Sequence, residues 1–123
     1  MRHAIAMLAF ASILALSPGS APQAAEPGEE RMKGYAELES LFADWRAFEH
    51  PPLRDGAPDY GATVMARQHA ALKDYQARLA AIDASAWPVA DRVDYELLRA
   101  EMHGMDFNHR VLRPWARDPA FYT

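Results

Sequence analysis

The sequence predicts an all-α fold of three main helices, at about residues 35–49, 62–84 and 91–106. They form an antiparallel arrangement with an aromatic C-terminal tail, preceded by a signal peptide. Three observations predict it. Apolar side chains recur at spacings of three and four in three separate stretches. A loop rich in proline and glycine and a short SAWP turn separate those stretches. No run alternates apolar and polar residues in the manner of a half-buried strand.

The N-terminus has the order of an export signal. Met1-Arg2-His3 is a short positive region, Ala4 to Leu16 is an uncharged run of 13 residues, and Ser17 to Ala25 is small and polar with Pro18 and Pro22. A membrane-spanning helix needs about 20 apolar residues, so no stable anchor is expected once the signal is cleaved. Cleavage after Ala25 makes 1–25 the signal peptide, 26–34 a polar linker and 35–123 the helical domain. The domain is then periplasmic or secreted.

The first helix carries Leu38, Leu41, Phe42, Trp45 and Phe48 as one apolar stripe. Pro51-Pro52 ends it, because a proline ring constrains the residue before it and removes a donor. His50 to Gly61 (HPPLRDGAPDYG) reads as a loop. Asp59 or Thr63 caps the second helix, whose stripe is Met65, Gln68 or His69, Leu72, Tyr75, Leu79 and Ile82. Asp74 and Arg78, four apart, form a candidate exposed pair. Ser85 to Pro88 is a short turn, and a short connection implies antiparallel neighbours. Asp91 reads as the cap of the third helix, with Asp94 in the position a capping box uses. Tyr95, Leu98, Met102 and Met105 form its inner stripe, widened by Val93 and Leu97. Gly104 signals a local break or a close backbone contact, since glycine costs about 1 kcal/mol in a helix interior.

Charge and composition exclude several functions. Past Ala25 lie all 17 acidic residues and 12 of the 13 basic ones, a net charge of −5 without a basic block. Nucleic-acid binding is therefore not expected. With no cysteine, the chain has no disulfide, thiol nucleophile or cysteine-ligated metal.

His103, Asp106 and His109 have the chemistry of a zinc or iron ligand set. Their steps of three place His109 about 240° around a continuous helix from His103, so they converge only if the helix breaks. They are read as capping or surface residues, and no metal site is assigned. His69 is read as a partly buried packing residue and His50 as a loop residue. Glu49, Glu96 and Glu101 have no reason to face one another across a cleft as paired acids must. Ser40 and Ser85 do not sit in a G-x-S-x-G turn, and there is no glycine-rich phosphate loop. No catalytic or cofactor-binding residue is assigned.

The tail holds Phe107, Val111, Leu112, Trp115, Phe121 and Tyr122, interrupted by Arg110, Arg113, Arg117 and Asp118. Three readings fit: a strap over the helices, part of a core completed elsewhere, or an arginine–aromatic binding face.

The run D-R-V-D-Y-E-L-L-R-A-E-M from Asp91, followed by M-D-F-N-H-R-V-L-R-P-W-A-R-D-P-A-F-Y to Tyr122, resembles the N-terminal region of a bacterial family. That family is known as domain of unknown function 885: large, mostly helical and often exported proteins. Their later part carries an HExxH-type zinc motif like that of metallopeptidases. The resemblance implies a metallopeptidase-like parent acting on peptides or carboxy-terminal residues. This chain ends before any such motif, and neither His103 nor His109 matches it. The expected function is thus a non-catalytic N-terminal portion of a metallopeptidase-like protein, and the alternative is a free-standing periplasmic binding or scaffold module. The expected partner is the C-terminal part of the family domain, or another protein met through the aromatic tail.

Overall fold

The computed structural model describes residues 26–122, so the signal-peptide reading of residues 1–25 lies outside the described residues. The chain is mostly helical. Helix α1 spans Pro27–Phe48, and a hairpin of β1 (Leu53–Arg54) and β2 (Ala57–Pro58) follows. Helices α2 (Ala62–Ala80) and α3 (Val89–Phe107) come next. A π turn (Asn108–Leu112), the single-turn helix α4 (Pro114–Arg117) and a 3-10 turn (Pro119–Tyr122) complete the order. Among the described residues no helix is long and apolar enough to cross a membrane.

Helix α1 begins eight residues before the expected start, so the stretch read as a linker forms its first turns. Pro27 suits the opening position, where its missing N–H is not needed. Glu29 and Glu30 complement the positive end of the helix dipole. Tertiary contacts then hold this polar stretch. Arg31 pairs with Asp91, Tyr35 Oη donates to Asp94 Oδ2 at 2.7 Å, and Trp87 packs against Gly34. A Cβ on Gly34 would stand 2.9 Å from the Trp87 ring, so the glycine permits that approach.

The hairpin was not expected. Its register pairs Leu53 with Pro58 and Arg54 with Ala57. Its two turn residues, Asp55 and Gly56, have φ of 52° and 85°. Asp-Gly is the sequence preferred where both central residues need positive φ, because that twist matches the strands. Two residues per strand are too few to show alternation.

Capping also differs from expectation. Gly61 occupies the N-cap of α2 without a side-chain bond, and Asp59 Oδ1 accepts from the Gly61 amide just outside the helix. Pro88 occupies the N-cap of α3, which leaves Asp91 in the first turn to pair with Arg31. Helix α2 stops at Ala80 rather than Ala84, and Arg78 pairs with Asp44 of α1 rather than with Asp74. Helix α3 continues through Gly104 without a break; the backbone changes only at Asn108. The π turn ends at Arg113 in the left-handed region, whose amide donates to Asn108 O at 2.7 Å.

Cross-helix bonds set the directions. The Phe48 and Glu49 carbonyls meet Gln68 and Asp44 meets Arg78, so α2 runs antiparallel to α1. Arg31–Asp91, Tyr35–Asp94 and Trp45–Glu101 climb together, so α3 runs parallel to α1. The bundle is up–down–up. Its core joins Leu38, Leu41 and Trp45 to Leu72, Leu79, Ile82, Trp87, Leu98 and Met102. Each fully buried aliphatic side chain contributes roughly 1.5–3 kcal/mol through removal from water. Phe42, Val93 and Leu97, read as core positions, are exposed instead. Three helices cover one face of each neighbour, and these residues stand beyond the edge of that face.

Candidate functional site

Helix α3 continues its inner stripe into the π turn. His109 follows Leu98 and Met102 at intervals of eleven and seven, which returns it to the same face. It is the one buried polar side chain among the described residues, 8% exposed. Its Nε2 lies 3.1 Å from Gln68 Oε1 on α2. The Gln68 amide nitrogen donates to the Phe48 and Glu49 carbonyls, both at 3.2 Å. That use of the NH2 group leaves Oε1 as an acceptor, so Nε2 of His109 carries the proton.

His69, next to Gln68, completes the cluster. Its Nε2 lies 3.0 Å from Asp106 Oδ1, and its ring lies parallel to that of His109 with centroids 5.0 Å apart. Arg110 Nε donates to the other Asp106 oxygen at 2.6 Å. The His69 bond, followed by the Arg110 bond, holds the Asp106 carboxyl below its ordinary range. Burial, then the neighbouring His69 charge, lowers the His109 pKa below 6.5 against a smaller opposing effect of Asp106. His109 is thus a neutral imidazole at pH 7. Trp115 of α4 covers it at 4.8 Å between ring centroids.

This arrangement divides the set His103, Asp106 and His109. Asp106 and His109 meet residues of α2, whereas His103 stays exposed. The expected surface role of His109 is corrected: its relation to Met102 and Leu98, rather than to His103, decides its direction. Among the described residues no group of three or more histidine, aspartate or glutamate side chains is positioned to hold a metal ion. The bonds within the cluster join its members to one another: His109 to Gln68, and His69 and Arg110 to the two oxygens of Asp106. It ties the end of α1, the start of α2 and the end of α3 to the tail.

The other candidate residues are dispersed. Glu96 pairs with Arg99, Glu49 with Arg46, and Glu101 accepts the Trp45 indole N–H at 3.0 Å. Ser40 is exposed on α1, and the Ser85 amide donates to Asp83 Oδ1. In the tail, Trp115 packs on His109 and Phe121 meets Tyr60 edge to face, with ring centroids 4.7 Å apart. Phe107, Val111 and Leu112 remain exposed.

A second feature is an open groove of about 440 Å³ lined by α1 and α3 alone. Compared with protein-family models, curated proteins and solved structures, the chain matches none.

Proposed function

We propose that this chain is a non-catalytic, exported helical portion of a metallopeptidase-like protein. Its task, in the periplasm or outside the cell, is to present a packing surface to further polypeptide. One observation carries this reading. The outward side of α3 and of the π turn that continues it bears Val93, Leu97, Ala100, Gly104, Phe107 and Val111, at successive spacings of four and three, and all six are exposed. A helix that meets only water has polar residues on that side. A contiguous exposed apolar line fits a surface that another protein segment covers.

Gly104 supports the same reading. A Cβ at this position meets nothing within 4 Å, so no contact within the described chain requires a glycine there. A second helix crossing α3 at Ala100 and Gly104 would use the space. Gly104→Ala is therefore expected to stabilise the chain alone by about 0.5–1 kcal/mol, through backbone entropy and helix propensity. A thermal melt reads this, and a fall in melting temperature would show that the glycine serves an internal contact.

The resemblance of Asp91 to Tyr122 to the domain-of-unknown-function-885 family supplies the peptidase-like parent, and no catalytic residue is transferred from it. The purified chain is expected to leave peptide substrates uncut. Chelator-sensitive hydrolysis by it would overturn the non-catalytic reading, and full-length protein retained in the cytoplasm would overturn export. A reading frame that continues past Thr123 into an HExxH segment would favour the larger parent; a stop codon would favour the free-standing module.

A further inference from the structure

The groove between α1 and α3 adds a chemical constraint on what the chain holds. Leu38 and Leu98 form its buried floor, and Phe42 and Leu97, 47% and 60% exposed, stand on its walls. Glu39, Asp94 and Glu101 line it as well. Among the described residues no ion pair uses any of these three carboxylates. Elsewhere, Asp44 on α1, Glu49 just past it, and Asp91, Glu96 and Asp106 on α3 each take an arginine, whereas Glu29, Glu30 and Glu37 on α1 share the groove's lack of an ion pair among the described residues.

Two of the groove carboxylates are also held in place by neutral donors. Tyr35 Oη bonds Asp94 Oδ2, and the core residue Trp45 bonds Glu101 Oε2. Neither bond uses Asp94 Oδ1 or Glu101 Oε1. A carboxylate fixed by its own fold loses little side-chain entropy when a cation arrives. Asp94 and Glu101 are seven residues apart, about 10.5 Å along the helix. Two side chains at i and i+7 of another helix have that same separation, and apolar residues at i+3 and i+4 lie between them.

We propose that this groove docks an amphipathic helix of a partner polypeptide that carries arginine or lysine at i and i+7 around an apolar centre. The cations meet Asp94 and Glu101, and the apolar residues cover Phe42 and Leu97. Charge complementarity identifies the occupant: an acidic or neutral helix would cover three carboxylates without bringing a cation to any of them. The proposal rests on the reading of this chain as a packing portion, and it names the segment that the surface accepts.

The test titrates the full chain with two helical peptides of about five turns that share one leucine–alanine apolar face. One carries arginines at i and i+7, and the other carries glutamates there. Fluorescence anisotropy is expected to show at least about tenfold tighter binding of the arginine peptide, weakening as salt is added. Asp94→Asn with Glu101→Gln is expected to remove most of that preference. Leu97→Asp is expected to abolish binding while leaving the thermal melt intact, since the side chain is exposed. Equal affinity for both peptides, or a preference indifferent to the Asp94 and Glu101 changes, overturns the proposal. So does a concentration-dependent dimer, seen by light scattering and lost in Leu97→Asp, which assigns the face to a second copy. Chelator-sensitive peptidase activity with the arginine preference intact would remove the non-catalytic reading and leave the docking helix standing.

Discussion

Trp45→Ala is expected to destabilise the chain by about 3–5 kcal/mol, read as a large fall in the urea midpoint. Trp45 is 1% exposed and reaches all three long helices. Its ring lies 5.7 Å from Phe48 and 6.0 Å from Tyr75 between centroids, and its indole N–H bonds Glu101 on α3. Removing it opens a cavity between helices that cannot collapse without moving one another. A domain of this size is stable by roughly 5–15 kcal/mol, so the loss is a large part of the total. Trp45→Phe keeps most of the ring and loses the Glu101 bond, and its cost should be smaller. A Trp45→Ala chain that melts within about 1 kcal/mol of the parent would contradict the position of Trp45 at the centre of the core.

Gln68→Ala is expected to cost about 1–3 kcal/mol, because three partners lose their bonds together. The Phe48 and Glu49 carbonyls lose a donor, and the buried Nε2–H of His109 loses its acceptor. The same cluster gives stability a pH dependence. The His109 pKa is lowered in the folded chain, so the unfolded chain binds that proton more readily. The corresponding stability is complete above about pH 6.5 and is lost as pH falls from there through the folded pKa. The Asp106 shift acts at lower pH, since a depressed carboxyl loses its contribution only as pH falls below its ordinary value of 3.8. Urea midpoints measured from pH 7.5 to 5 should therefore decline. His109→Gln should flatten that decline, and an unchanged slope would rule out His109 as its source.

The two results separate different layers of the structure. Trp45 belongs to a stripe visible in the sequence, and its loss is a packing defect. Gln68 was one of two alternatives for the same stripe position, Gln68 or His69. The fold uses both: Gln68 ties together two chain segments, and His69 bonds Asp106. Their roles depend on the partners α1 and α3 bring, and no spacing within α2 reveals those partners.

The sequence by itself determined that the described chain is helical, with helices over most of the three periodic stretches and breaks at the Pro51-Pro52 and SAWP segments. Those features follow from local rules: side-chain spacing, proline geometry and the twist needed at a turn. The Asp-Gly hairpin follows an equally local rule but was read only as part of the loop His50 to Gly61, because its strands of two residues are too short to show alternation. Tertiary structure alone decided the rest. It recruited the polar residues 27–34 into α1, because Arg31, Gly34 and Tyr35 have partners far along the chain, on α3 and in the turn before it. It turned His109 inward and left Phe42, Val93 and Leu97 outside. Periodicity says that a residue lies on an apolar face, but whether that face is covered depends on how many neighbours stand against it. α1 and α2 bury one side of α3 and leave the other exposed.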